Sequence, residues 1–399
     1  MTASFHPTRR AVAVGASALA ALPIPSFAQQ FQGPIRVGGL VPLTGAGAPH
    51  GPTMMKIHRA IVEDVNRAGG IFGQKIEYFG EDDQTNPDAG VLATRKLIDV
   101  DRVSAIISVW ASSVGAAMLP ICWQNKVIMF GITSADSLSA MPHQGYFIRT
   151  HPDTGMQGRK LAEFAIKRKA KQVYVLAPQQ PYAEPFIRAV EAACTAAGTK
   201  ATSVIYDIRK TSFRTEVDQL LKAQPDVVLL GGLAPDNIIM TRDLYRAGVK
   251  APIIGLATGV NQAVIDGAGK QVVEGLYTQV PVPALGSPGY KRVQEIAGTD
   301  QPDTYACQAF DHINLFILSV ARAKAATGTA IKDTIRSVSS GSGEVVTDAL
   351  AGLAILREGR PINYDGASGP CSFEPNGSLS DCEFQLQQIR DGKLVNVTL

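Results

Sequence analysis

Charge is scarce in this chain of 399 residues. Asp, Glu, Lys and Arg make up 18%, and the formal net charge is only +3. So small an excess gives no basis for nucleic acid or an anionic membrane surface as a partner. The five cysteines, at 122, 194, 307, 371 and 382, lack the spacing and the neighbouring histidines of a zinc site. No metal and no cofactor is therefore expected. The six histidines fall in no recognisable nucleophile–base–acid arrangement, and no G-x-S-x-G elbow occurs. A secreted hydrolase would lack its machinery. Long apolar runs are missing too: no stretch is long enough to span a bilayer. Short repeats and low-complexity linkers are also absent. What remains is a composition 45% hydrophobic, globular, and long enough for two or three domains.

The N-terminus reads as an address. His6, Arg9 and Arg10 form a basic region, and Ala11–Leu22 is a short apolar run of small residues. Pro23 and Pro25 break that run, and Ser26-Phe27-Ala28 is a small-x-small cleavage site. The pattern predicts a signal peptide over 1–28 and a mature chain beginning near Gln29. Thr8-Arg9-Arg10 hints at twin-arginine export, but Val12 stands where a bulkier apolar residue is usual, so both export routes stay open. No cysteine lies near Ala28, so no lipid anchor is expected. The mature protein should be soluble and periplasmic, where disulfides persist.

After the leader, strands and helices alternate. Ile35–Leu43 reads as a buried strand, followed by a glycine-rich loop to Gly51. A helix from about Pro52 to Arg67 carries Met54, Ile57, Ile61 and Val65 on one face. Further strands are predicted at 75–80, 105–109 and 127–130. The pattern restarts with strands at 172–177, 201–206, 226–230 and 252–255, separated by helices at about 183–197, 213–223 and 236–247. Helices at 287–297 and 303–325 follow, the second with Phe310, Ile313, Ile317 and Val320 on its buried face. Gly369–Leu386 reads as a hairpin around Pro375-Asn376-Gly377-Ser378. Alternation at this spacing means parallel sheets covered by helices, in two similar α/β lobes with a cleft between them.

The chain centres on Ala105–Ala117. A short apolar strand stops at Trp110-Ala111, two serines follow, and a helix of small residues begins. The first N–H groups of a helix have no internal partner, and the macrodipole favours an anion there. In open parallel sheets, ligands bind outside the carboxyl ends of strands, where this turn sits. The plainer reading makes Ser112 an N-cap only. Trp110 at the strand end is either half-buried core or part of an aromatic-lined pocket with Tyr182 and Tyr305. Gly45-Ala46-Gly47 with Gly51 approaches a dinucleotide fingerprint, but the spacing is wrong by one and the expected acid comes too late. Glu81-Asp82-Asp83 reads as a solvated loop more readily than as a cation site. His312 reads as a satisfied helix residue, not a base.

The order of the pieces GGLVPLTG (38–45), DVNRAGGIFGQKIEYFGEDDQTNP (64–87), IISVWASSV (106–114), QQPYAEP (179–185), LLGGLAPD (229–236) and GPCSFEPNGSL (370–379) resembles the periplasmic binding proteins of ABC importers. Within them it resembles the leucine/isoleucine/valine-binding family. The resemblance implies a type I Venus-flytrap receptor, not an enzyme. It has two doubly wound, Rossmann-like lobes, three inter-lobe crossings and a central cleft for a small solute. It implies one lobe of 34–149 plus 281–384 and another of 150–280 plus 385–399. It further implies a monomer that delivers its solute to an ABC permease in the inner membrane. A ligand-sensing module for a membrane sensor remains the alternative.

By the same resemblance, Ser112 binds a ligand carboxylate, and Thr133 and Ala135 share that task; Ser113 joins them as the second hydroxyl of the anion turn. Tyr182 covers the ligand from the second lobe, Tyr305 lines the side-chain pocket, and His50 stands where an aromatic is common. Relatives that bind amino acids place an acid at the Ala257-Thr258 position to pair with the α-ammonium, and this chain has none. An uncompensated buried ammonium is costly, so the expected ligand is a small carboxylate-bearing solute, an amino acid or, in preference, a non-amino organic or aromatic acid. Finally, if Asn376-Gly377 is a two-residue turn, Cys371 faces Cys382. Facing residues have Cα atoms ~4.5–5.5 Å apart, so these two are expected to form a disulfide, with Cys122, Cys194 and Cys307 reduced.

Overall fold

The computed structural model describes residues 1–3 and 34–398 except Pro181. The predicted leader, with its cleavage site at Ser26-Phe27-Ala28, lies outside the described residues apart from its first three.

Five parallel strands open the chain: β1 (Ile35–Val41), β2 (Ile76–Asp82), β3 (Ala105–Val109), β4 (Ile128–Gly131) and β5 (Phe147–Arg149), in the spatial order β2-β1-β3-β4-β5. Side chains alternate across this sheet with period two. Val37, Ile107, Ile128 and Phe130 pack against helices Gly51–Arg67 and Thr304–Ala323. Leu40, Ile106, Val109 and Met129 pack on the other face against helix Ser112–Gln124 and its neighbours.

A second sheet follows from β6 (Gln172–Pro178), β7 (Lys200–Tyr206), β8 (Val227–Leu230), β9 (Ile253–Leu256) and β10 (Tyr277–Pro281). The chain then returns to the first lobe. There it contributes helices and a small sheet of β11 (Glu344–Val346), β12 (Ile362–Gly366) and β13 (Gly369–Pro370). It ends back in the second sheet as β14 (Phe384–Arg390) and β15 (Lys393–Asn396). That sheet has the order β15-β14-β10-β9-β8-β6-β7, with β14 antiparallel to both of its neighbours. The chain thus passes between the lobes three times: after Arg149, after Pro281 and before Phe384.

Three local expectations need correction. The Cys371–Cys382 disulfide does not form; both thiols are free. The hairpin is shorter than predicted, and its turn is one residue longer than Asn376-Gly377. Phe373 pairs with Leu379, and Ser380 N–H donates to Ser372 O. In that register Cys371 would face Asp381, and a one-residue slip reverses the side a residue points to. Cys382 instead lies 3.8 Å from Met156 Sδ, and Phe384–Arg390 joins β10. Helix Thr304–Ala323 is buried all round from Ala306 to Ala321, not on one face, because it lies between the first sheet and helices Gly328–Ser339 and Ala349–Arg357. The run Glu81-Asp82-Asp83 is no solvated loop. Asp83 is fully buried, and the Asp82 carboxylate accepts Leu43 N–H, Thr44 N–H and Thr44 Oγ1–H at 2.8, 3.2 and 2.7 Å. These bonds hold the loop that follows β1.

Candidate functional site

In the first sheet the strand order reverses between β1 and β3, and the loops leaving the carboxyl ends of β1, β3 and β4 converge there. The β1 loop is drawn tight. A Cβ on Gly51 would stand 2.0 Å from Pro42 O, and one on Gly47 would press on Pro42 and on Trp110 at 3.0 Å. These glycines serve close packing rather than a phosphate. His50 ends the loop at the start of helix Gly51–Arg67.

The structure brings together His50, Trp110 and Tyr305. Their ring centroids are 5.7 Å apart for His50–Trp110, 4.7 Å for His50–Tyr305 and 5.9 Å for Trp110–Tyr305, with the last two rings at 90°. Sequence reasoning missed His151, whose ring lies 5.7 Å from Tyr305. Desolvation of that ring outweighs its Gln308 bond and, with the nearby Arg149 charge, brings its pKa down to about 4. His151 is therefore neutral near pH 7. Asp303 was read only as a helix start. Its carboxylate caps helix Thr304–Ala323 through Ala306 N–H at 2.8 Å and also meets His50 Nδ1 at 2.6 Å.

Beside the rings lies the anion turn. Ser112 is the first residue of its helix and not the cap, which is Ala111. Its hydroxyl oxygen accepts Ala135 N–H at 3.3 Å, so its own proton is left to donate. Ser113, next in the helix, is exposed. Thr133 is fully buried, and its Oγ1 finds no hydrogen-bond partner among the described residues.

Arg149, wholly buried, supports this turn from beneath. Its Nη1 donates to Ala135 O at 2.8 Å and Thr133 O at 3.4 Å. Its Nη2 donates to Ser139 Oγ at 2.6 Å and Ser378 Oγ at 3.0 Å. Burial pulls its pKa down, opposed by Asp153 and Asp136. The signal for Arg149 was an arginine inside the apolar strand Phe147–Arg149, since buried charges need partners.

Across the cleft, Tyr182 and Thr258 stand on second-lobe loops and do not join the ring cluster. Tyr182 hydroxyl donates to Gly231 O at 3.2 Å. It borders a hollow of about 260 Å³ with Ile208, Leu233, Pro235 and Ile239. Thr258 is exposed. Asp236 caps its helix: Oδ1 accepts Leu233 N–H at 3.1 Å and Oδ2 accepts the Tyr206 hydroxyl. Among the described residues no cluster of three or more His, Cys, Asp or Glu is placed to hold a metal ion, and no helix is long and apolar enough to cross a membrane.

Comparison with known proteins follows the same geometry. The family model described as periplasmic binding protein matches residues 34–393. The Leu/Ile/Val-binding protein homolog 3 of Brucella melitensis is 26% identical over 378 residues, covering 93% of this chain and 95% of that protein. A leucine binding protein from Thermotoga maritima superposes with a TM-score of 0.70 at 20% identity, over 91% of this chain and 98% of that one. A solute binding protein of an ABC transporter from R. palustris, solved in complex with benzoate, superposes with a TM-score of 0.65 at 17% identity, over 92% and 96%.

Proposed function

The chain belongs to the periplasmic binding protein family, and from that premise we propose that it captures a small organic acid lacking an α-amino group and delivers it to an ABC permease. One observation carries this reading: an anion turn and a ring cluster share the first-lobe face, while the buried acid beside Tyr182 on the second, Asp236, is bonded to Leu233 N–H and the Tyr206 hydroxyl. Ser112 Oγ–H and the unpaired N–H groups at the start of its helix donate to the carboxylate. Ser113, at the same helix start, adds its hydroxyl. Thr133 and Ala135 complete the turn. Trp110, Tyr305 and His50 hold a planar or branched apolar body. Tyr182 closes over it, with Thr258 nearby.

An α-ammonium would find Asp236 bonded to Leu233 and Tyr206, and Asp303 bonded to His50 and Ala306. The benzoate complex of a protein with this fold is in keeping with an aromatic acid. By sheet membership the lobes divide one residue inside the expected bounds, as 34–149 with 282–383 and 150–281 with 384–398. The ligand bridges them and shifts an open–closed equilibrium, because contacts from both faces exist only in the closed form. The protein works as an exported, unlipidated periplasmic monomer.

A thermal-shift panel tests the ligand class. Leucine is paired with 4-methyl-2-oxopentanoate and phenylalanine with 3-phenylpropionate, and benzoate is added alone. A ligand of the folded state stabilises it by RT ln(1 + [L]/Kd). The acids should raise the melting temperature more than their amino-acid partners. Stabilisation by leucine and not by its oxo acid would replace this reading with branched-chain amino-acid binding.

A further inference from the structure

Strand β3 does not run straight into the anion turn. Ile106 pairs with Met129 and Val109 with Gly131, so β3 holds one extra residue, a bulge, just before Trp110. Within it Ser108 has φ +66°, a left-handed conformation that favours glycine. Such a conformation is strained for a residue other than glycine and persists only where its surroundings fix it.

The surroundings are two buried histidines from distant parts of the chain. Ser108 N–H, freed from the ladder, donates to His312 Nδ1 at 3.1 Å. A backbone N–H can only donate, so Nδ1 carries no proton and His312 holds its proton on Nε2. That Nε2–H donates to Thr150 Oγ1 at 2.9 Å. Ser108 Oγ–H also points at His312 Nδ1, at 3.2 Å, so its oxygen accepts His58 Nε2–H at 2.9 Å. His58 Nδ1 then accepts the Tyr78 hydroxyl at 3.0 Å. Every bond in the series Tyr78–His58–Ser108–His312–Thr150 runs in one direction, and chains of this kind reinforce themselves. His58, Ser108 and His312 are fully buried. Burial also drives both imidazoles toward the neutral form that the donors require.

We infer that His312 is a positioning residue for the binding site. Through its Nδ1 it holds the Ser108 bulge that aims Trp110 and Ser112, and through Nε2 it ties that bulge to Thr150, where the chain leaves the first lobe. This rests on the site assignment above, and it concerns how the turn is held rather than what it binds. The solute turn and the first crossing are thereby coupled through one ring.

Amide hydrogen exchange of the ligand-free full chain tests it. Asparagine can place an acceptor where Nδ1 lies, whereas glutamine reaches the Nε2 position and leaves Ser108 N–H unpaired. His312→Asn should keep exchange over 106–113 within about threefold of wild type, while His312→Gln should speed it at least ~10-fold, as loss of a bond of ~1.5 kcal/mol to a buried donor requires. Strand 173–177 of the second lobe is the control. Thr150→Val keeps the volume and cuts only the far end, so it should raise exchange over 106–113 to a lesser degree. If the Asn and Gln variants exchange alike over 106–113, or if 35–41 and 128–131 loosen as much as 106–113, His312 is a core residue only and the inference falls. Affinity for benzoate is measured alongside. A wild type that ignores benzoate counts against the ligand class, and the exchange pattern still decides the role of His312.

Discussion

On the first lobe, the loops after β1, β3 and β4 bring His50, Trp110, a helix start and a hydroxyl together with Tyr305 from the start of helix Thr304–Ala323, over a buried arginine and two buried histidines. On the second, the loops after β6, β8 and β9 bring Tyr182, Leu233, Pro235 and Thr258, and the acid there is engaged by its own helix. Both faces lie at strand ends of sheets with parallel cores. On the proposed function, orientation and charge recognition would belong to the first face, and the second would mainly exclude water, which strengthens hydrogen bonds opposite it.

The largest expected difference between the faces appears in acid. Among the described residues His50, His58, His143 and His312 belong to the first lobe, and His151, just past the first crossing, packs on Tyr305 and Gln308 of that lobe. His58, facing Tyr78 and Ser108, is lowered from 6.5 to about 3 by burial alone. The native state refuses a proton that the unfolded chain accepts. Stability from this neutral ring is whole above pH 6.5 and falls as the pH drops toward 3, by roughly 1.4 kcal/mol per unit. Hydrogen exchange at pH 4.5 should show first-lobe strands opening more, relative to pH 7, than strands β6 and β8. Equal opening in both lobes would erase the contrast.

Next comes Ser112→Ala. A hydroxyl donating to a carboxylate contributes ~1.5–3 kcal/mol, so calorimetric titration of the best acid from the panel should show affinity reduced about 10- to 100-fold. Melting temperature should barely change, since Ala111 and not Ser112 is the cap. An unchanged Kd would remove Ser112 from the site.

Thr258→Asp is smaller and runs the other way. It places a carboxylate at the position where the family resemblance implies an acid, at an exposed site that tolerates it. The ratio of leucine affinity to that of 4-methyl-2-oxopentanoate should rise by about 10-fold, the worth of one charge-assisted bond. No change in the ratio would place Thr258 away from the ligand.

The strands were the most legible part of the fold, because short β-branched runs bounded by glycine and proline admit little else. Ala105–Val109 has the bounds that its sequence suggests. Trp110 stood out by its place at a strand end, and Tyr305 and His50 by family resemblance alone; the structure brings the three rings together. Helix Thr304–Ala323 misled because amphipathic periodicity presumes one wet face, and this helix has none. Its polar residues Gln308, Asp311, His312 and Asn314 are buried with partners that lie far off in sequence. The bulge was invisible for a related reason. Ser108 is an ordinary strand residue by type, and what fixes its backbone lies 204 positions away at His312. The hairpin erred by one residue, which was enough to separate two cysteines.

Arg149 ties the turn that carries Thr133 and Ala135 to Ser378, 229 positions further along the chain. A ribosome makes His50, Trp110, Ser112, Tyr182 and Tyr305 long before it makes Ser378. Until then the guanidinium lacks one of the oxygens that hold it beneath the turn. Completion of the turn thus waits for a residue made 229 positions after Arg149, and a chain broken off before Ser378 carries the rings and the serine without the finished turn beside them.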